Sequence, residues 1–138
     1  MDLKPAVLFL CVHNAGRSQI AAGFMRHLSK GRVAVFSGGS EPADSLNRMV
    51  VKAMAEKGID INTEAPQLWT NDAIRAADVV VTMGCGDACP VFPGKRYLDW
   101  ELDDPASQPI ESVRLIRDEI ESRVRGLLAE LVSTGSAD

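Results

Sequence analysis

Residues 7–18, Val7-Leu8-Phe9-Leu10-Cys11-Val12-His13-Asn14-Ala15-Gly16-Arg17-Ser18, decide how this chain folds. Val7 to Leu10 have no polar interruption, as in a strand covered on both faces. Ser18 has the chemistry of an N-cap, and Ile20, Phe24 and Leu28 follow at helical spacing. The stretch therefore reads as strand, loop and helix, with Cys11 and Arg17 framing the turn. The first amides of a helix point into such a turn unpaired, with the positive end of the dipole behind them. A tetrahedral oxyanion suits that place. Val12, His13, Asn14, Ala15, Gly16, Arg17 and Ser18 are the candidate oxyanion-binding residues.

Partial positive charge from the amides, with the full charge of Arg17, favours thiolate over thiol at Cys11. A thiolate beside a bound oxyanion is a nucleophile aimed at its central atom. The residues between Cys11 and Arg17 let the loop curl, so that the guanidinium closes over the anion in a two-pronged contact. Gly16 supplies backbone freedom, and Asn14 tolerates a left-handed conformation. The plainer alternative is a buried structural cysteine beside a surface arginine. Strand before and helix after favour the chemical reading. The Gly-x4-Gly-Lys-Ser/Thr nucleotide loop is absent, which argues against an ATPase.

A length of 138 residues predicts one domain over 1–138 with a real core. With 46% apolar and 25% charged residues, the balance is that of an ordinary soluble globule. A net charge of −4 gives nothing to recruit nucleic acid or an anionic membrane. No apolar run approaches the ~20 residues that span a bilayer. Met1-Asp2-Leu3-Lys4-Pro5 leads into the first strand without a signal peptide's architecture, so the expected place is the cytoplasm. Stable disulfides are rare there. Three cysteines, an odd number, then point to reactive thiols. A monomer without bound cofactor or metal is expected.

The first strand is expected over residues 6 to 12 and the first helix over 18 to 30, with Gly31 as its stop. A second strand, Val33 to Phe36, ends at Ser37-Gly38-Gly39-Ser40. A second helix runs from about Ala43 to Lys57, with Leu46, Val50, Ala53 and Met54 inward and Gly58 ending it. Thr70 caps a brief helix through Ala76, and Val79 to Thr82 make a third, buried strand. Gly84 to Gly94 is a loop, Arg96 to Trp100 a fourth strand, and Leu102 to Ala106 another loop. Pro109 opens a long last helix with the stripe Ile110, Val113, Ile116, Ile120, Val124, Leu127 and Leu131. Its charges, Arg117 among them, read as a solvated face. The tail Ser133 to Asp138 is expected to fray.

Alternating strands and helices predict an α/β fold with a four-stranded parallel sheet, order 2-1-3-4, flanked by helices in a flavodoxin-like layer sandwich. Ligands of such sheets bind beyond the carboxyl ends of the strands, where the winding reverses. That point lies between strands one and three. The loops Cys11 to Ser18, Gly84 to Cys89 and Asp103 to Pro105 all leave carboxyl ends, so the fold gathers them on one edge.

Displacement at a tetrahedral oxyanion needs a proton for the departing oxygen. Asp104 is the candidate, because Pro105 restricts its backbone and so fixes the carboxylate's direction. Asp103 shares the role or solvates the loop, and the plainer alternative makes the whole stretch a turn. Ser37 is a candidate accessory residue. Cys85 and Cys89 lie in Met83-Gly84-Cys85-Gly86-Asp87-Ala88-Cys89-Pro90. A metal pair there lacks partners beyond His13 and His27, and buried thiols fit poorly in a glycine-rich loop. The reading favoured over both is a thiol relay, in which Cys85 attacks an adduct on Cys11 and Cys89 resolves the disulfide. His13 shapes the turn or fills it. Trp69 and Trp100 read as packing, Trp100 also as a wall of the site.

Cys11-x5-Arg17-Ser18 with a late Asp104-Pro105 resembles the low-molecular-weight protein tyrosine phosphatase family. Val81-Thr82-Met83 leading into Cys85 and Cys89, Trp100-x2-Asp103-Asp104-Pro105-Ala106, and Ile116-Arg117-Asp118-Glu119-Ile120 resemble its arsenate reductase branch. The resemblance implies that Cys11 attacks arsenate, Arg17 binds the oxyanion and Asp104 acts as acid. It implies that Cys85 then displaces arsenite, Cys89 takes over the disulfide, and thioredoxin, the electron donor, reduces it. Phosphate and sulfate are the competing anions. Ala22 stands where some members carry a glutamate that helps hold potassium, so no metal is expected.

Three other readings compete. A phosphatase for phosphotyrosine or small phosphate esters needs only Cys11, Arg17 and Asp104. Such enzymes place aromatic residues after the aspartate-proline pair, where this chain has Ala106-Ser107. An arsenate reductase coupled to mycothiol, or to glutathione with a glutaredoxin-like partner, dispenses with Cys85 and Cys89. A non-catalytic anion-binding module would lack a reactive Cys11.

Overall fold

The structure is a computed structural model and describes residues 4–84 and 94–135. Cys85 and Cys89 lie outside the described residues. The strands are β1 (Ala6–Cys11), β2 (Ala34–Gly39), β3 (Val79–Thr82) and β4 (Arg96–Asp99). The helices are α1 (Arg17–Ser29), α2 (Arg48–Ala55), α3 (Asn71–Ala76) and α4 (Ile110–Gly135). All strand pairs are parallel, in the order β2-β1-β3-β4. The switch of winding falls between β1 and β3, as the sequence predicts.

Strand alternation splits the core in two. Val7, Phe9, Cys11, Val79 and Val81 face one layer with Ile20, Phe24, Val50, Met54, Ile120 and Val124 of the helices. Leu8, Leu10 and Val80 face the other with Ile74 and Ala77. Burying each large apolar side chain of this set contributes about 1.5–3 kcal/mol. The α4 stripe is buried from Val113 to Leu127, with Ile110 and Leu131 half-buried at its ends.

Several boundaries differ from expectation for local reasons. α1 begins at Arg17 with Gly16 in the capping position and no side-chain cap. Ser18 is thus inside the helix, and its hydroxyl turns toward Cys11 instead. β2 continues through Ser37, Gly38 and Gly39. The two glycines permit close neighbours there: a Cβ at Gly38 would lie 2.7 Å from Trp69 Cα, and one at Gly39 2.5 Å from the Val12 carbonyl. α2 starts only at Arg48, capped by the Asn47 side chain, which accepts from the amides of Met49 and Val50. Residues 40–47 cannot be helical because their amides serve the first loop. Those of Ser40, Glu41, Ala43 and Asn47 donate to the carbonyls of Cys11, Val12, His13 and Ala15 at 3.3, 2.8, 3.0 and 3.0 Å.

α4 runs through residues 133–135, which the sequence reading assigns to a fraying tail. Its charged face also departs from expectation. Arg117 is buried and donates to the Ala53 carbonyl at 2.9 Å and to Glu56 at 2.8 Å, pinning α4 to the end of α2. Arg114 adds a 2.7 Å contact to the same carboxylate. Thr70 caps α3 as predicted, accepting from the Ala73 amide at 3.0 Å. Among the described residues, no helix is long and apolar enough to cross a membrane.

Candidate active site

The carboxyl end of β1 places Cys11 at the floor of the first loop, 3% exposed. Two groups address its sulfur. The Asn14 amide donates to Sγ at 3.3 Å, and Ser18 Oγ lies 2.9 Å from it. Asn14 reaches this position with φ +51, the left-handed conformation its side chain makes tolerable. Its Nδ2 donates to Ser18 Oγ at 2.7 Å, and its Oδ1 accepts from the Gln67 amide at 3.0 Å. The loop carbonyls of Cys11, Val12, His13 and Ala15 are already engaged by residues 40–47. Carbonyls engaged in this way are held out of the loop, as an anion nest requires.

Arg17 stands in the first turn of α1, largely buried. Its Nη1 donates to the Leu102 carbonyl at 3.4 Å, and its Nη2 lies 3.6 Å from Asp104 Oδ2. Asp104 Oδ1 accepts from the Ala106 amide at 2.9 Å, an Asx-type turn that orients the carboxylate. Pro105 rests on Gly16, where a Cβ would meet its Cγ at 2.7 Å. The Asn47 side chain donates to the Pro105 carbonyl at 3.3 Å, tying this loop to the start of α2. A small cavity of about 40 Å³ results, lined by Cys11, His13, Ala15, Gly16, Arg17, Asn47, Asp104, Pro105 and Ala106.

Gly84 closes the arrangement from the β3 side. It has φ +92 and backs onto the Arg17 guanidinium, with the Arg17 Cζ 3.2 Å from where its Cβ would be. The next residue in sequence is Cys85.

The structure thus brings Cys11, Arg17, Ser18 and Asp104 together. Asp103 is exposed on the adjoining groove and does not line the cavity. Ser37 does not line it either: its carbonyl accepts from Gln67 Nε2 at 2.9 Å. His13 is exposed, with Nδ1 3.0 Å from the Glu41 carbonyl, so it shapes the turn. Trp100 packs against Phe9 in the core, the rings tilted at 46° with centroids 6.0 Å apart. Among the described residues, no group of three or more His, Cys, Asp or Glu side chains could hold a metal ion. Sequence reasoning missed Gln19, Asn47 and Gln67. Asn47 carries a signal, an Asn directly before Arg48-Met49-Val50-Val51; the two glutamines carry none.

A small doubly wound sheet with a cysteine-and-arginine anion loop at its switch point defines a class of phosphatase-like enzymes. Residues 6–137 match the low molecular weight phosphotyrosine protein phosphatase family, and the chain belongs to it. It is 38% identical over 125 residues to arsenate reductase 1 of Staphylococcus epidermidis, covering 88% of this chain and 93% of that one. It is also similar to the solved thioredoxin-dependent arsenate reductase of Corynebacterium glutamicum, at 44% identity and a TM-score of 0.83. That likeness covers 95% of this chain, which spans 63% of the length of the other. A structure of an arsenate reductase in the phosphate binding state superposes with a TM-score of 0.83 at 32% identity, covering 92% of this chain and 98% of that one.

Proposed function

We propose that this chain reduces arsenate to arsenite and that thioredoxin restores it. Arsenate sits in the first loop against the main-chain amides, with Arg17 closing over it. The Cys11 thiolate attacks arsenic, and the displaced oxygen takes a proton from Asp104 and leaves as water. The Cys85 thiolate then attacks Cys11 Sγ. The sulfur–arsenic electron pair stays on arsenic, which falls from the +5 to the +3 state and departs as arsenite. Cys89 attacks Cys85, freeing Cys11 and leaving a Cys85–Cys89 disulfide that the thioredoxin dithiol reduces. One chain supplies every protein group up to that last step, so a monomer suffices. The thiol chemistry suits the cytoplasm.

The observation that carries this reading is the position of Arg17. Its guanidinium faces Asp104 on one side and Gly84 on the other, in the wall of the Cys11 cavity. Nucleophile, anion clamp and acid share one cavity, and Gly84 backs onto the clamp. The named relatives support the choice of arsenate and thioredoxin.

The test is arsenate-dependent NADPH consumption with thioredoxin and thioredoxin reductase, run on wild type and on Cys11→Ser, Cys85→Ser and Cys89→Ser. All three variants lose turnover, while Cys85→Ser and Cys89→Ser keep the attack by Cys11. Full turnover of Cys85→Ser with thioredoxin as the sole donor overturns the relay. A phosphatase assay runs beside it. Phosphate has the same shape as arsenate, so slow ester hydrolysis is expected. The cavity's Ala106 offers no aromatic grip for a phosphotyrosine ring.

A further inference from the structure

Gln19 lies in the first turn of α1 with its side chain 1% exposed. Its Nε2 faces the Asn14 carbonyl at 3.1 Å, Asn14 Oδ1 at 3.2 Å and the Ala65 carbonyl at 3.5 Å. Turned the other way, the amide would set its oxygen against three acceptors, so this orientation follows from the surroundings. Gln19 Oε1 is buried without a hydrogen-bond partner among the described residues. An apolar side chain of the same shape would avoid that cost but would take this donor away from the buried oxygens of Asn14. What the amide adds is a hold on Asn14, at its main-chain and side-chain oxygens together. Asn14 in turn aims its N–H at Cys11 Sγ and its Nδ2 at the Ser18 hydroxyl beside that sulfur.

We propose that Gln19 is a positioning residue for the nucleophile: its amide clamps Asn14 in the left-handed conformation that points a donor at Cys11. It acts through Asn14 and touches no reacting atom. The proposal rests on Cys11 being the attacking atom in arsenate reduction. Ser18 completes the triangle, so loosening Asn14 disturbs both groups that address the sulfur.

The test compares Gln19→Met, which keeps length without donors, and Gln19→Glu, which keeps shape but sets a carboxylate against the acceptors. Both are made in the full chain. Each lowers kcat for arsenate by at least about tenfold, the scale of one lost buried hydrogen bond, and leaves KM for thioredoxin unchanged. The amide resonance of Asn14 shifts in both, reporting the loosened N–H to sulfur contact. In an Asn14→Ala background, Gln19→Met costs nothing further, as expected for a residue acting through Asn14. Two results overturn the proposal: wild-type kcat with an unmoved Asn14 resonance, or an equal loss in the Asn14→Ala background. A loss of activity that follows melting temperature across both variants, with KM for thioredoxin also changed, assigns Gln19 to stability alone. The Asn14 resonances of the two variants need no arsenate turnover. They decide the role of Gln19 even where arsenate reduction itself fails.

Discussion

Gly84 backs onto the Arg17 guanidinium so closely that a methyl group at position 84 would collide with Nη1. Glycine is required there twice over, by that approach and by φ +92. Gly84→Ala therefore strains the backbone by roughly 1–3 kcal/mol or pushes Arg17 out of the cavity. The expected outcome is a fall in kcat/KM for arsenate of at least about tenfold with weaker inhibition by phosphate, since lost anion binding acts on both. Steady-state kinetics with phosphate as competitor check it. An alanine variant with unchanged phosphate inhibition would show that Arg17 does not need this wall.

Ser18 Oγ lies 2.9 Å from Cys11 Sγ and accepts from Asn14 Nδ2 at 2.7 Å. Ser18→Ala leaves a buried amide donor without its acceptor and removes a hydroxyl from the nucleophile. Each such loss is worth about 1–3 kcal/mol, so the first chemical step slows by about 10- to 100-fold. Single-turnover arsenate consumption by the reduced protein measures that step without the relay. An undiminished single-turnover rate would make Ser18 a helix residue and nothing more.

The sequence was legible where one signal had one reading. The apolar runs Val7–Leu10 and Val79–Val81 read as buried strands and are such, and the sheet order 2-1-3-4 is the one expected. Cys11, Arg17 and Asp104, singled out in the sequence, line one cavity, Asp104 from a stretch that a plain turn explains equally well on local grounds. The region from Ala43 to Asn47 was misread as helix because its amides answer to carbonyls about 30 residues upstream, a debt that no local pattern records. Ser18 was misread as a cap for the same reason: propensity knows the helix start but not the sulfur waiting beside it. Gln19 and Gln67 look like ordinary polar positions until the loop folds over them. Arg117 reads as solvent-facing in the sequence because helical spacing does not show that α2 ends against it.

Asp104 and Asp103 share the groove beside the cavity but not the cavity itself. Only Asp104 lines the cavity, with Oδ2 3.6 Å from Arg17 Nη2. Asp104→Asn keeps the turn acceptor for the Ala106 amide but removes the proton donor. The expected loss in the first chemical step is about 10²- to 10⁴-fold. Asp103→Asn stays within about twofold, as for an exposed substitution. Cys11 alkylation by iodoacetamide, which needs no acid, continues in both. Equal losses in the two variants would mean that the carboxylates share one proton.

Glu56 joins α2 to α4 and gives the fold a defined response to acid. Hydrogen bonds from Arg114 and then Arg117 hold its carboxyl down to about 2 from the ordinary 4.5. The unfolded chain, at the ordinary value, binds the proton first as pH falls. Stability from this group is therefore complete above about 4.5 and is lost as pH falls toward 2. Glu56→Gln should melt below wild type at neutral pH, with a gap that narrows from about pH 5 downward and closes near 2. The carboxylate is one-third exposed, so molar salt should narrow the neutral-pH gap as well. Thermal melts of both proteins across this range, at low and high salt, make the comparison. A gap that holds constant down to the acid limit would show that the carboxylate's charge, and so its pairing with the two arginines, does not carry the difference.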